Sequence, residues 1–194
     1  MAVKDLRQLG DEKLTNKNLE IENFDDEKIK QVITDLVDTM KEKGLVGIAA
    51  PQIGENFRIF ITEPRETESR SKDQVDELRV FINPKIIESS LEETIIYEGC
   101  GSVARSQTFG PVSRPKIITI EANNEKGEKF KIKCDGLLAR VIQHENDHLN
   151  GIEFIEKIDD YTKLVSPEIY GEKIKNSTEQ TQNSIITIKE VTKL

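Results

Sequence analysis

The sequence predicts an α+β fold on three observations. Two segments carry apolar residues at helical spacing, strand-like segments cluster between them, and strands do not alternate regularly with helices. The first helix covers about residues 26–43: Ile29, Val32, Ile33, Leu36, Val37 and Met40 recur at helical intervals, Asp25 or Asp26 is placed to cap it, and Gly44 supplies a stop. Residues 1–24 before it read as an extended polar lead-in. Residues 45–54 after it are too rich in small side chains for a regular surface helix. Residues 58–62 alternate as a strand, and 63–77 are charged and polar, an exposed loop. Short strands are predicted over 79–83 and 86–89, interrupted at Pro84, and over 94–97 leading into Glu98-Gly99-Cys100-Gly101-Ser102. Residues 115–123 and 128–134, joined by Asn124-Glu125-Lys126-Gly127, predict a hairpin. A second helix follows Asp135 as N-cap and runs through Asn150 to a stop at Gly151. Residues 161–194 are rich in Lys and Glu and weakly patterned, with a last strand predicted at 185–188.

A length of 194 residues fits one substantial domain. No apolar run approaches the roughly 20 residues that cross a bilayer. The first residues lack the apolar core of a secretory signal, and Asp5, Asp11 and Glu12 come too early for a transit peptide, so a cytoplasmic protein is expected. A net charge of −8 gives no global attraction to nucleic acid, and no nucleic-acid motif is found. In that compartment Cys100 and Cys134 are expected as ligand, catalytic or plain buried thiols rather than as a disulfide.

Both histidines of the chain fall in Gln143-His144-Glu145-Asn146-Asp147-His148. Four-residue spacing on a helix puts the two imidazoles on one face, one turn apart, where both can grip one cation. Glu145, beside the first, is placed to reach water on that cation. The bland alternative is a chance HExxH on an exposed charged helix. Leu137, Leu138, Val141, Ile142 and Leu149 make this helix apolar over much of its surface, which favours a core helix whose histidines need partners. A third ligand is then required. Phe154 stands where a metzincin has its third histidine, which excludes that class. A downstream glutamate such as Glu168 or Glu172 stays open, as does a thiolate. Of the two cysteines, Cys100 between two glycines suits close approach better than Cys134, which reads as a buried structural thiol at a strand end.

Three segments in order resemble the peptide deformylases: Gly47-Ile48-Ala49-Ala50-Pro51-Gln52, Glu98-Gly99-Cys100-Gly101-Ser102 and Gln143-His144-Glu145-Asn146-Asp147-His148. The resemblance implies antiparallel sheets around a central HExxH-bearing helix, a catalytic domain over residues 1–160, and a C-terminal extension of uncertain structure over 161–194. It implies that Cys100, His144 and His148 hold one divalent metal, Fe(II) in cells with Zn, Ni or Co as substitutes, and water in the fourth position. Glu145 would be the general acid/base, and Gln52 with the backbone N–H of Gly101 would hold the oxyanion. Val46, Gly47, Ile96, Gly99, Leu137 and Val141 would bind substrate, with the methionine side chain between Val46, Ile96, Leu137 and Val141. The reaction implied is removal of the N-formyl group from the initiator formyl-methionine of nascent polypeptides. Glu98 is expected to pair with Arg114 and brace the glycine loop.

The sequence departs from the family pattern at Leu45, where a glycine is usual, at Gly101, where Leu or Met is usual, and at Ala104, where Pro is common. These positions bear on substrate preference more than on reaction type. Two other readings remain beside the favoured one: a relative acting on another N-formyl or N-acyl compound, and a metal-binding module without catalysis. The ribosome surface is a further partner the resemblance offers for the tail. Lys163, Lys173, Lys175, Lys189 and Lys193 alternate there with Glu168, Glu172, Glu179 and Glu190, so a solvated face is the preferred reading.

Overall fold

The computed structural model describes residues 3–194; Met1 and Ala2 of the predicted lead-in lie outside the described residues. The lead-in contains a short helix that the sequence did not announce, α1 (Glu12–Thr15), capped by Asp11, whose side chain accepts from the Lys13 N–H at 2.9 Å. The predicted first helix is α2 (Glu27–Glu42), with Asp26 as its cap: the Asp26 carboxylate accepts from the Lys28 N–H at 2.8 Å.

Strands β1 (Gly47–Ala49), β2 (Ile59–Thr62) and β3 (Arg79–Ser89) follow, with a 3-10 turn over Ala50–Ile53 between the first two. Strand geometry sends successive side chains to opposite faces. Accordingly Ile59, Ile61, Val80 and Ile82 pack with Ile29, Val32, Leu36 and Met40 of α2, while Phe60 and Phe81 belong to the opposite cluster. β3 is one strand rather than two. It passes through Pro84 with irregular pairing to its neighbour between Ile82 and Lys85 and again between Ile86 and Glu88. Irregular register of this kind is where a strand tolerates a proline that donates no ladder hydrogen bond.

β4 (Glu93–Gly99) pairs with β5 (Phe109–Pro115) as a separate two-stranded sheet. The expected hairpin is β6 (Ile118–Asn123) with β7 (Lys129–Cys134). The second helix, α3 (Gly136–Leu149), lays Leu138, Ala139, Ile142 and Leu149 on Phe60, Phe81, Ile118, Ile120 and Ile132. The main sheet is therefore covered by α2 on one face and by α3 on the other.

The tail is structured. A short helix α4 (Pro167–Ile169) continues as a π-helical turn over Tyr170–Ile174, α5 (Thr178–Ser184) follows, and β8 (Lys189–Lys193) pairs antiparallel with β7. The main sheet thus has six antiparallel strands in the order β1-β2-β3-β6-β7-β8. The strand expected at 185–188 is shifted to Lys189–Lys193. Asp135 occupies the cap position of α3, but its side chain is turned to the tail: it accepts from the Thr187 and Ile188 N–H groups at 2.7 and 2.8 Å. That grip holds 187–188 outside the ladder and starts the strand one residue later.

Candidate metal centre

The site lies where α3 meets β1 and the end of β4. His144 and His148, one turn apart on α3, have ring centroids 5.0 Å apart. Cys100 follows directly on β4, and one ligand atom from each of Cys100, His144 and His148 lies within 4.8 Å of the others. The Cys100 sulfur is 3.2 Å from His148 Nε2. A thiolate with two imidazoles is a three-ligand set of the kind that leaves one position open on a tetrahedral cation. Cys134 is buried at the end of β7, outside this group, as expected.

Charge in the cluster agrees with that donor set. Burial pushes the Cys100 thiol up, but the His148 and His144 rings outweigh it and bring it down to about 6. Burial opposes charge on the rings as well, yet the Cys100 sulfur and Glu98 raise His144 to about 10, and Cys100 raises His148 above the ordinary imidazole range. A divalent cation held by these three atoms would take the place of protons on them.

Glu98 braces the first histidine. Its carboxylate lies 2.9 Å from His144 Nδ1, accepts from Arg114 Nε and Nη2 at 2.7 and 3.0 Å, and accepts from Arg140 Nη1 at 2.8 Å. Arg114 also donates to Asp147 at 2.5 Å. Burial raises the Glu98 carboxyl, but Arg114 and His144 draw it well below the usual carboxylate range. A carboxylate on Nδ1 leaves Nε2 free to bind metal. The second histidine is held more loosely: Glu153 Oε1 stands 3.4 Å from His148 Nδ1 without the alignment of a hydrogen bond, and Glu153 Oε2 has no partner among the described residues. The sequence reading paired Glu98 with Arg114 but missed Arg140, Asp147 and Glu153. Arg140 carried a signal, being a cation on the otherwise apolar face of α3, one turn before His144.

Glu145 is buried, and its Oε2 has no hydrogen-bond partner among the described residues. Burial raises its carboxyl to about 7 against the pull of both histidines. Gly47 explains how β1 comes so close: a Cβ there would meet Val141 Cγ1 at 2.6 Å and Glu145 Oε1 at 2.7 Å. Gln52 is oriented by its own backbone neighbour. Its Oε1 accepts from the Ala49 N–H at 2.8 Å, which turns the NH2 group toward Ser102 Oγ at 3.2 Å and Cys100 Sγ at 3.5 Å.

A cavity of about 440 Å³ opens beside these groups, lined by Val46, Gly47, Gln52, Ile96, Gly99, Cys100, Gly101, Leu137, Val141, His144 and Glu145. Every substrate-binding and catalytic position named from the sequence is on this wall, and His148 lies behind it, 1% exposed. The small residue at 101 has a local reason. A Cβ at Gly101 would meet Leu6 Cδ1 at 2.5 Å, so the lead-in occupies the space that a larger residue would take, with Leu45 in ordinary contact at 3.7 Å.

The polypeptide deformylase family model matches residues 3–164. A peptide deformylase of Natranaerobius thermophilus is 38% identical over 160 residues, 82% of this chain and 95% of that protein. One of Neisseria meningitidis is 42% identical over 158 residues, 81% of this chain and 88% of that protein. Among solved structures, a peptide deformylase of Ehrlichia chaffeensis in complex with actinonin aligns with a TM-score of 0.74 at 32% identity, over 84% of this chain and 92% of that one. A Met-Ala-Ser-bound peptide deformylase of Acinetobacter baumannii aligns with a TM-score of 0.74 at 31% identity, over 81% of this chain and 99% of that one.

Proposed function

This chain belongs to the polypeptide deformylase family, a hydrolase removing the N-formyl group from nascent polypeptides, and we propose how its own residues perform that reaction. The observation that carries the assignment is the Glu145 carboxylate, its Oε2 without a partner among the described residues, beside the close cluster of Cys100, His144 and His148. Those three residues would hold one divalent cation, Fe(II) in cells with Zn, Ni or Co as substitutes. When bound, it supplies a water acidified toward neutrality and a positive charge near the formyl oxygen.

Glu145, raised to about 7, takes a proton from the attacking water and returns it to the departing amine. The new C–O bond replaces the C–N bond, and formate and a free amino terminus are released. The NH2 group of Gln52, fixed by Ala49, and the backbone N–H of Gly101 donate to the oxygen that gains charge at the tetrahedral stage. Glu98 holds His144 in one tautomer, and Arg114 and Arg140 keep Glu98 charged. The N-formyl-methionine side chain lies between Val46, Ile96, Leu137 and Val141, and Gly47 and Gly99 offer backbone to the peptide. The protein works in the cytoplasm on N-formyl-methionyl peptides. Residues 161–194 mix Lys and Glu and lack a basic stripe, so contact with the ribosome surface is not assigned to them.

The test is turnover of formyl-Met-Ala-Ser by protein prepared anaerobically with Fe(II), beside Glu145→Gln. Wild type releases formate, while the variant keeps one metal per chain and loses about 100- to 10,000-fold in kcat. Equal rates would remove Glu145 from its role. No turnover by metal-loaded wild type would move the reading to another N-formyl or N-acyl substrate.

A further inference from the structure

The match to the deformylase family ends at Leu164, yet residues beyond it line the same cavity as the catalytic groups: Tyr170, Lys175, Gln180, Thr181 and Ser184. They sit against β4, the strand that delivers Cys100. One edge of β4 is paired with β5. The other edge carries the N–H and C=O groups of alternate residues, Ile95, Tyr97 and Gly99.

Side chains of α5 occupy both groups of Tyr97 and the carbonyl of Ile95 on that free edge. Gln180 Oε1 accepts from the Tyr97 N–H at 3.0 Å, and Gln180 Nε2 donates to the Tyr97 carbonyl at 3.2 Å. A side-chain amide thus makes both hydrogen bonds that a neighbouring strand would make. Asn183 Nδ2 donates to the Ile95 carbonyl at 3.1 Å. Gln180 is itself buried, and its Nε2 also lies 3.5 Å from the Tyr170 hydroxyl. The Tyr170 ring stacks on Phe109 at 4.1 Å with planes 1° apart, and the Phe109 ring covers the place where a Cβ of Gly99 would stand. Among the described residues the extension leaves the Gly99 groups, next to Cys100, uncapped.

An exposed strand edge is a ready template for an extended peptide, whose main-chain hydrogen bonds supply affinity one residue at a time. We propose that the C-terminal extension is a wall of the substrate cleft in which Gln180 closes the β4 edge at Tyr97, so that a formylated peptide gains main-chain pairing at Gly99 and none beyond it. The enzyme is thereby indifferent to the length and backbone of the nascent chain past its first residues. Gln180 is a specificity-determining residue that acts by occupying the edge. This rests on the deformylase reading of the cleft.

The experiment measures kcat and KM for formyl-Met-Ala and for the same peptide extended by one, two and four alanines, with metal-loaded wild type and Gln180→Ala. Wild type shows a KM flat within about twofold across the series. Gln180→Ala lowers KM about three- to tenfold for the longer peptides alone, at unchanged kcat, because one or two further main-chain hydrogen bonds become available. A structural role alone would move kcat or stability for every length alike. A wild-type KM that falls steeply with length, or a variant series parallel to the wild-type one, overturns the proposal. Hydrogen exchange of wild type gives an arm independent of the variant's folding and of turnover. The Tyr97 amide is protected in free protein and stays protected with the longest peptide bound; fast exchange in free protein, or protection lost on peptide binding, overturns the proposal. Turnover of formyl-Met-Ala reports separately on the deformylase reading.

Discussion

Cys100 and Cys134 are both buried at strand ends, and the two sites treat the same thiol in opposite ways. Burial pushes Cys134 up to about 12, with Asp135 and Asp76 adding to it, and Arg79 does not compensate. Burial acts on Cys100 in the same direction, but two histidines at contact distance reverse it and hold the thiol at about 6. Depth alone therefore makes a cysteine inert. Partners that stabilise the thiolate make it a ligand. The partners are in turn braced: His144 by Glu98, and Glu98 by Arg114 and Arg140.

The largest test of that contrast removes the thiol. Cys100→Ala is expected to lose metal and to cut kcat/KM by about a thousandfold or more, since two histidines alone leave the cation under-coordinated. Metal analysis with formate release reads both effects. A variant retaining one metal per chain and wild-type activity would break the comparison.

Thiol chemistry sharpens it next. In metal-free folded protein the alkylation rate of Cys100 is expected to rise as pH increases through about 6, because the reactive thiolate forms above its pKa. Cys134 is expected to stay orders of magnitude slower at pH 7 until the chain is unfolded. Mass spectrometry of the modified peptides against pH distinguishes the two, and similar profiles would remove the role given to the histidines.

The brace comes third. Arg114→Ala leaves Glu98 buried with one fewer cation and frees Asp147, at an expected cost of about 3 kcal/mol in denaturant unfolding together with weaker metal retention. Unchanged metal content and activity would end the bracing role. The smallest effect belongs to Cys134→Ala, a loss of about 1 kcal/mol from a trimmed core with metal and kcat unchanged. Loss of metal in that variant would erase the contrast.

Much of the site was legible because its chemistry is local in the chain. The histidine pair, Glu145 beside it and the glycine-flanked cysteine each fall within a few residues, and helical spacing alone puts His144 and His148 on one face. α2, α3 and the β6–β7 hairpin were legible for the same reason, as periodicity and turn residues are short-range signals. β5 was not. The sequence predicts no strand over residues 109–114, yet Gly110, Val112 and Arg114 alternate inward against β4. Two of its three inward residues are a glycine and an arginine, and Arg114 enters the core only because Glu98 is there to receive its charge. The tail was opaque too, because docking by Gln180, Asn183 and Asp135 orders it, and amide or carboxylate grips leave no apolar period.

The sequence by itself determined the α+β class and put both histidines and Glu145 on one stretch of helix, because periodicity and four-residue spacing are local signals, while the third ligand and the reaction came from the resemblance of three separate segments to one family. Tertiary structure alone decided that Leu6 occupies the space above Gly101, that Arg140 joins Glu98, and that Gln180 caps the β4 edge at Tyr97. Each of these joins residues 42 or more positions apart in the chain. Such contacts are set by how layers pack, and no local pattern records them.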